Sequence, residues 1–495
     1  MRTSRRPVLT TLAFAIGAAF ALPAAAEDLL EVYELARASD PQIQLADANR
    51  LAISEGVVQS RSALLPQVSG TASLTDSDND STFIDSIPAS DGSVTFGPGS
   101  GEGDTRNRTY RVQLLQSIYN HANYTRLRSS KAVRSRAEAD YEAALDALFT
   151  RVALAYFTAL TNTSNVEALR AEETAVGRQL EQADQRFEVG LTAITDVHEA
   201  RARYDSARAN RILAENQLND SYEALAELTG RRIETLEALR EEIPLAPPEP
   251  ADPQAWVDVA LEENAALDSR RYALEASEHD IGTAKAGHLP SLGASIVGLD
   301  QSVWGTRSSN DFSFPANQTF EDVAIGLQLT VPIFEGFATQ SRVRQAVYNR
   351  DAAADLLEQD RRAVERNTRN TYRAVVAGVS EVEARRQALV SAQSALDATQ
   401  AGFEVGTRTI VDVLLSQQQL YAAQREYARA RHAFIVNGLS LKQSAGTISV
   451  DDLQEVNALL DPSAPAAPSA PQAADRDGDG DGDTISTPSD ETPDD

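Results

Sequence analysis

Arg186-Phe187-Glu188-Val189-Gly190-Leu191-Thr192-Ala193-Ile194-Thr195-Asp196-Val197 returns later in the chain as Gly402-Phe403-Glu404-Val405-Gly406-Thr407-Arg408-Thr409-Ile410-Val411-Asp412-Val413. Each copy leads into an alanine-rich helical pattern that closes at a glycine, Gly230 or Gly446, at the same distance from its Val-Gly pair. The likeness extends upstream: Leu64-Leu65-Pro66-Gln67-Val68 answers His288-Leu289-Pro290-Ser291-Leu292, and Gln113-Leu114 with Ile118-Tyr119 answers Gln328-Leu329 with Ile333-Phe334. Each half reads as helix, strand, loop, strand, long helix, turn, long helix. A unit this long is a duplicated domain, not one element of a solenoid array. The boundaries are 27–230 for the first repeat, with strands at about 66–76 and 107–118 and its turn near 190. The second is 256–446, with strands at about 290–304 and 320–333 and its turn near 406.

Proline maps the helices. None occurs between Pro98 and Pro244 or between Pro332 and Pro462, whereas Pro244, Pro247, Pro248, Pro250 and Pro253 crowd a connection over 231–255. Proline removes a backbone donor and clashes with the preceding turn, so long proline-free stretches rich in Ala, Gln, Glu and Arg suit long helices. One running from Gly336 to Gly402 would be about 100 Å long at 1.5 Å per residue. Val413, Leu420, Tyr427, Phe434 and Leu441 recur every seventh residue, with the smaller Ser416, Ala423, Ala430, Asn437 and Ser444 three places on. Ala200, Ala207, Ala214 and Ser221 repeat the small set in the first copy. Large and small residues alternating at heptad spacing suit knobs-into-holes packing; a bundle core would use the same stripe, and helix length favours the coiled coil.

Between the helices the period falls to two. Val323, Ile325, Leu327, Leu329 and Val331 alternate with Ala324, Gly326, Gln328 and Thr330; Tyr110, Val112 and Leu114 alternate with Arg111 and Gln113; Val68, Gly70, Ala72 and Leu74 alternate with Ser69, Thr71 and Ser73. One-face-apolar strands of about 10 residues fit a transmembrane β-barrel or a soluble sandwich. Four strands cannot close a membrane barrel, which needs about eight, so a barrel requires oligomerisation. Asp76 to Asp104 and Gly305 to Gln318 read as polar loops.

Composition bounds the rest. Arg2, Arg5 and Arg6, an apolar run from Val8 to Leu22 and Ala24-Ala25-Ala26 outline a signal peptide over 1–26, and nothing later reads as a membrane-spanning helix. The chain has no cysteine and a net charge of -28, which excludes disulfides and disfavours nucleic acid. Thirteen acidic residues follow Gly446 against the single Arg476, so 447–495 reads as a short structured segment and a disordered acidic tail. Asp475, Asp477, Asp479 and Gly480 begin like a calcium loop, but Ser486 stands where that loop needs glutamate. The five histidines, His121, His198, His279, His288 and His432, have no metal spacing, and no nucleophile elbow or phosphate cradle is present. No enzyme, cofactor or metal site is expected.

The opening Glu27-Asp28-Leu29-Leu30-Glu31-Val32-Tyr33, Gly287-His288-Leu289-Pro290, and the block from Val405 to Leu414 resemble the TolC-like outer membrane exit ducts of Gram-negative bacteria, the outer membrane factor family. The resemblance covers nearly all of 27 to about 458. It implies a mainly α chain with transmembrane β: a homotrimer whose four strands per chain contribute to a 12-stranded β-barrel in outer membrane lipid, above a long coiled-coil α-helical barrel crossing the periplasm. The Val-Gly turns become the periplasmic tip, with Val189, Gly190, Val405 and Gly406 meeting a periplasmic adaptor (membrane fusion protein). An inner-membrane ABC or RND transporter supplies the energy. Arg408 and Asp412, with Thr195, Asp196 and Phe403, become an iris-like gate. The sequence departs from the family pattern where Phe403 replaces a tyrosine and Leu415 a second acid. The implied function is passive conduction of drugs, type I secreted proteins or both. A periplasmic coiled-coil adaptor without a pore is the alternative, and the alternating strands are what it would not need.

Overall fold

The computed structural model describes residues 26–88, 90–309 and 312–466. The expected signal peptide, apart from Ala26, and the acidic tail after Ala466 with its calcium-like aspartates fall outside the described residues. The first half runs α1 (Leu29–Ser39), α2 (Pro41–Ser62), β1 (Gln67–Pro88), β2 (Val94–Tyr119), α3 (His121–Glu188), α4 (Ile194–Thr229) and β3 (Leu236–Leu239). The second runs α5 (Pro253–Glu263), α6 (Ala265–Lys285), β4 (Ser291–Ser309), β5 (Phe312–Pro315), β6 (Gln318–Thr330), α7 (Ala338–Glu404), α8 (Ile410–Ala445), α9 (Val450–Asn457) and β7 (Leu460–Ala466). The order repeats, and β3 pairs antiparallel with β7 so that the ends of the two halves meet.

The long helices are uninterrupted. α3 has 68 residues and α7 has 67, which makes each about 100 Å long. α4 and α8 each close on a left-handed glycine, Gly230 at φ 70° and Gly446 at φ 73°, a conformation a side chain disfavours. The heptad residues are the seam: Val413, Leu420, Phe434 and Leu441 are buried, as are Ala200, Ala207, Ala214 and Ser221. Near the sheet the helices lie side by side in the order α2, α3, α6, α7; towards the Val-Gly turns the order is α4, α3, α8, α7. Gly287 lies against Thr339, and a Cβ there would meet its methyl at 2.8 Å, which gives Gly287-His288-Leu289-Pro290 a packing reason.

The main core girdles the middle of the helices. Tyr33 of α1 stacks on Phe149 of α3 with ring centroids 4.5 Å apart, and the Tyr156 hydroxyl donates to the Glu237 carbonyl at 2.8 Å. α3 does contain one 18-residue window long and apolar enough to cross a membrane, contrary to the sequence expectation. Its Leu148, Val152, Tyr156 and Leu160 are instead buried in this core.

The strands outrun the expectation. β1 and β2 stay paired from Gln67 and Leu115 as far as Pro88 and Val94, so Asp76 to Asp104 is mostly a ladder, not a loop. The polar residues there alternate faces as well as apolar ones would, and composition alone concealed the strand. Gly305 to Gln318 is likewise partly strand, with β5 continuing the line of β6 beside β4. The sheet order is β1, β2, β4, β6. Directly paired residues share a face. Register therefore aligns Val68, Leu114, Ile296 and Ile325 in one row, and Gly70, Val112, Gly298 and Val323 in the next row on that face. Further along, the same face turns charged, with Arg106 bonded to Asp76 at 3.1 Å.

Candidate functional site: the tip of the helical hairpins

The two tip turns have the same backbone. The Leu191 amide donates to the Arg186 carbonyl and the Thr407 amide to the Gly402 carbonyl, both at 2.8 Å, while Gly190 and Gly406 take φ of 75° and 79°. Glycine accepts this left-handed conformation without strain. Around the glycines, Val189, Leu191 and Val405 are exposed. The residues expected to meet an adaptor therefore form an apolar knuckle at the far end of each hairpin.

α4 begins at Ile194 and α8 at Ile410, so Asp196 and Asp412 both lie in a first helical turn. Asp412 forms a capping box: the Thr409 amide donates to its carboxylate at 2.9 Å and the Asp412 amide to the Thr409 hydroxyl at 3.3 Å. These bonds, first from the backbone of Thr409 and then from its hydroxyl, with Arg408 nearby, hold the Asp412 carboxyl below its ordinary range. Helix capping thus accounts for a carboxylate at this position by itself. The signature Thr409-Ile410-Val411-Asp412 was present in the sequence. In the first copy Ala193 cannot cap, and the Thr192 hydroxyl donates to the Asp196 carboxylate instead.

Of the other residues expected at a gate, Thr195 and Arg408 are exposed. No hydrogen bond or ion pair among the described residues joins the Arg408 side chain to Thr195 or Asp196 within the chain; its stem lies against Gly402, where a Cβ would come within 2.7 Å of Arg408 Cγ. Phe403 packs with Ile410, Leu414, Val176, Val197 and Leu396 between the two hairpins. The structure adds one residue that the sequence reading passed over: Arg186 lies over the Phe403 ring, its guanidinium carbon 4.9 Å from the centroid. No grouping of His, Asp and Glu among the described residues could hold a metal ion.

Helices about 100 Å long that run alongside one another from a sheet with one apolar face define a component of a membrane-spanning duct. On the outer strand of that sheet Val323, Ile325 and Leu327 are more than 70% exposed, which a soluble sandwich would not leave uncovered. The family model described as outer membrane efflux protein matches residues 32–231 and 256–447. The chain is 38% identical over 436 residues to the outer membrane protein TolC of Vibrio cholerae, covering 88% of this chain and 94% of that one. It is 28% identical over 432 residues to the alkaline protease secretion protein AprF of Pseudomonas aeruginosa, covering 87% and 86%. The crystal structure of the Campylobacter jejuni CmeC outer membrane channel superposes with a TM-score of 0.66 at 19% identity, covering 88% and 90%. The chain belongs to the outer membrane efflux protein family, as a TolC-like outer membrane channel component. It is an exit duct of the Gram-negative outer membrane, not an enzyme and not a poreless adaptor.

Proposed function

We propose that three copies of the chain close head to tail into one duct, with four strands from each in a 12-stranded barrel. One observation carries this: the helical and the strand layers are open on the same two flanks. Among the described residues β1, which follows α2, pairs only with β2, and β6, which precedes α7, pairs only with β4. α2 and α4 end the helix rows on the β1 side, and α7 ends both rows on the β6 side. Such heterologous edges make rings when the rotation closes.

In this reading the apolar knuckles at Val189, Gly190, Val405 and Gly406 receive a periplasmic adaptor, and an ABC or RND transporter of the inner membrane drives the cargo. The duct takes secreted proteins, drugs or both; the resemblance to AprF supports the first. The tip is the gate: Arg408, exposed and without an ion pair among the described residues, faces Thr195 and Asp196 of the neighbouring copy, and three Asp412 carboxylates ring the pore. The test is twofold. Outer membrane fractions should yield a heat-modifiable trimer, and deleting the gene should abolish a secreted protein, dye efflux or both. A protein that runs as a monomer without heating, with export unchanged in the deletion strain, would end this reading.

A further inference from the structure

Within one chain the outer hairpin, α3 with α4, meets the inner one, α7 with α8, at the tip through few groups. Ile410, Leu414 and Phe403 pack against Val176, Ala183, Val197 and Ala200. Beside this apolar patch the Arg186 guanidinium rests on the face of Phe403. Among the described residues Arg186 makes no side-chain ion pair or hydrogen bond, so the ring is what holds it. Its backbone carbonyl also closes the outer turn, which fixes where the side chain starts.

The equivalent turn position in the second repeat is Gly402, where any side chain would strike Arg408. The duplication has therefore split two roles between like positions: the outer turn supplies a cation, and the inner turn leaves room for Arg408 to fold back and presents a ring. A cavity of about 20 Å³ remains beside the stack, lined by Gln182, Arg186, Thr192, Asp196, Phe403 and Ile410. That is room for about one water among polar groups, or for one hydroxyl on the Phe403 ring.

We propose that Arg186 is a positioning residue of the gate: stacked on Phe403, it ties the outer hairpin of each chain to the inner one, and the tip opens when that stack parts. The proposal rests on the gate reading above. A cation on an aromatic face at a half-exposed site is strong enough to shift a two-state equilibrium about two- to fivefold per joint. Three joints in a ring act together.

The test is single-channel conductance of the purified full-length trimer in planar bilayers, for Arg186→Gln, Arg186→Lys, Phe403→Leu, Phe403→Tyr and Arg408→Ser. Arg186→Gln and Phe403→Leu should each raise conductance, and the double variant should add little to either. Arg186→Lys, which keeps the cation, should restore much of the closed behaviour. Phe403→Tyr should hold the tip tighter, because its hydroxyl fills the cavity near Asp196. Trimer heat stability should be the same in all five, which a general packing defect would not allow. If Arg408→Ser raises conductance while Arg186→Gln and Phe403→Leu do not, the stack is not a latch and the gate stands without it. If none of them alters conductance, the gate reading falls and the latch with it.

Discussion

Thr409 and Asp412 cap each other at the start of α8, amide to side chain in both directions. A carboxylate already engaged this way is still able to face a pore, so its two roles have to be separated by substitution. Asp412→Ala removes cap and charge together, whereas Thr409→Ala removes the hydroxyl half of the cap, costs about 1 kcal/mol of helix stability and leaves the charge. Single-channel conductance should rise with Asp412→Ala and change little with Thr409→Ala. Equal rises would assign the effect to the cap. The Thr409 cap holds the Asp412 carboxyl below its ordinary range, which favours its charged form.

Arg408 stands one residue before the capping threonine, with its stem against Gly402. A charge-assisted donor to the neighbouring copy would be lost in Arg408→Ser, and opening would then require fewer bonds to break. Conductance several times that of the unaltered trimer is expected. An unchanged value would remove Arg408 from the gate.

Much of this was legible in the sequence because duplication and proline placement act over tens of residues. The repeat at Val189-Gly190 and Val405-Gly406 located both turns, and the heptad from Val413 to Leu441 located the seam. The hairpin beyond Leu74 was not legible, because its strands alternate polar with polar, as in Asp78 and Asp80 opposite Asp104 and Glu102. Nor was the role of Arg186, whose partner lies in the other repeat. No local period records a contact between residues more than two hundred positions apart, and only packing brings that guanidinium to the ring.

Leu415 is 41% exposed on α8, one turn past Asp412. Residues three apart lie close together on a helix face. Leu415→Asp should therefore place a second carboxylate near each Asp412 and strengthen block of the channel by multivalent cations, with a greater effect for trivalent ions than divalent ones. Block unaltered in that variant would mean that this face of α8 does not line the pore.

Gly305 is opposite Thr105 in the pairing of β2 with β4, at φ 145°, and a Cβ on it would overlap the Asp104 carbonyl. No rotamer relieves such a clash because the obstacle is backbone. Gly305→Val should break the ladder at this row and reduce heat-modifiable trimer in outer membrane fractions to a small share of the unaltered level. Ser302→Val, three residues earlier on the same strand, is the control and should assemble normally.

Two groups, one buried and one half-buried, tilt stability with pH in opposite directions. His432 is enclosed between α3 and α8, its Nδ1 2.8 Å from the Thr161 hydroxyl, and burial, with Arg431 beside it, lowers its pKa from 6.5 to about 3. Between those values the unfolded chain binds a proton that the folded chain does not, so stability present above 6.5 is lost as pH falls towards 3. Asp146 is half-buried, and desolvation, reinforced by Glu142, raises its pKa from 3.8 to about 6. Here the folded chain holds the extra proton, so stability present below 3.8 is lost as pH rises through about 6. His432→Gln should flatten the acid side of a plot of melting temperature against pH, removing a loss on the order of 2 to 4 kcal/mol. Asp146→Asn should raise the neutral side by about 1 kcal/mol after allowance for solvent screening, and leave the acid side alone. Circular dichroism melts of the detergent-solubilised protein across this pH range measure both. A wild-type profile whose acid limb survives His432→Gln would show that the proton taken up on unfolding goes elsewhere.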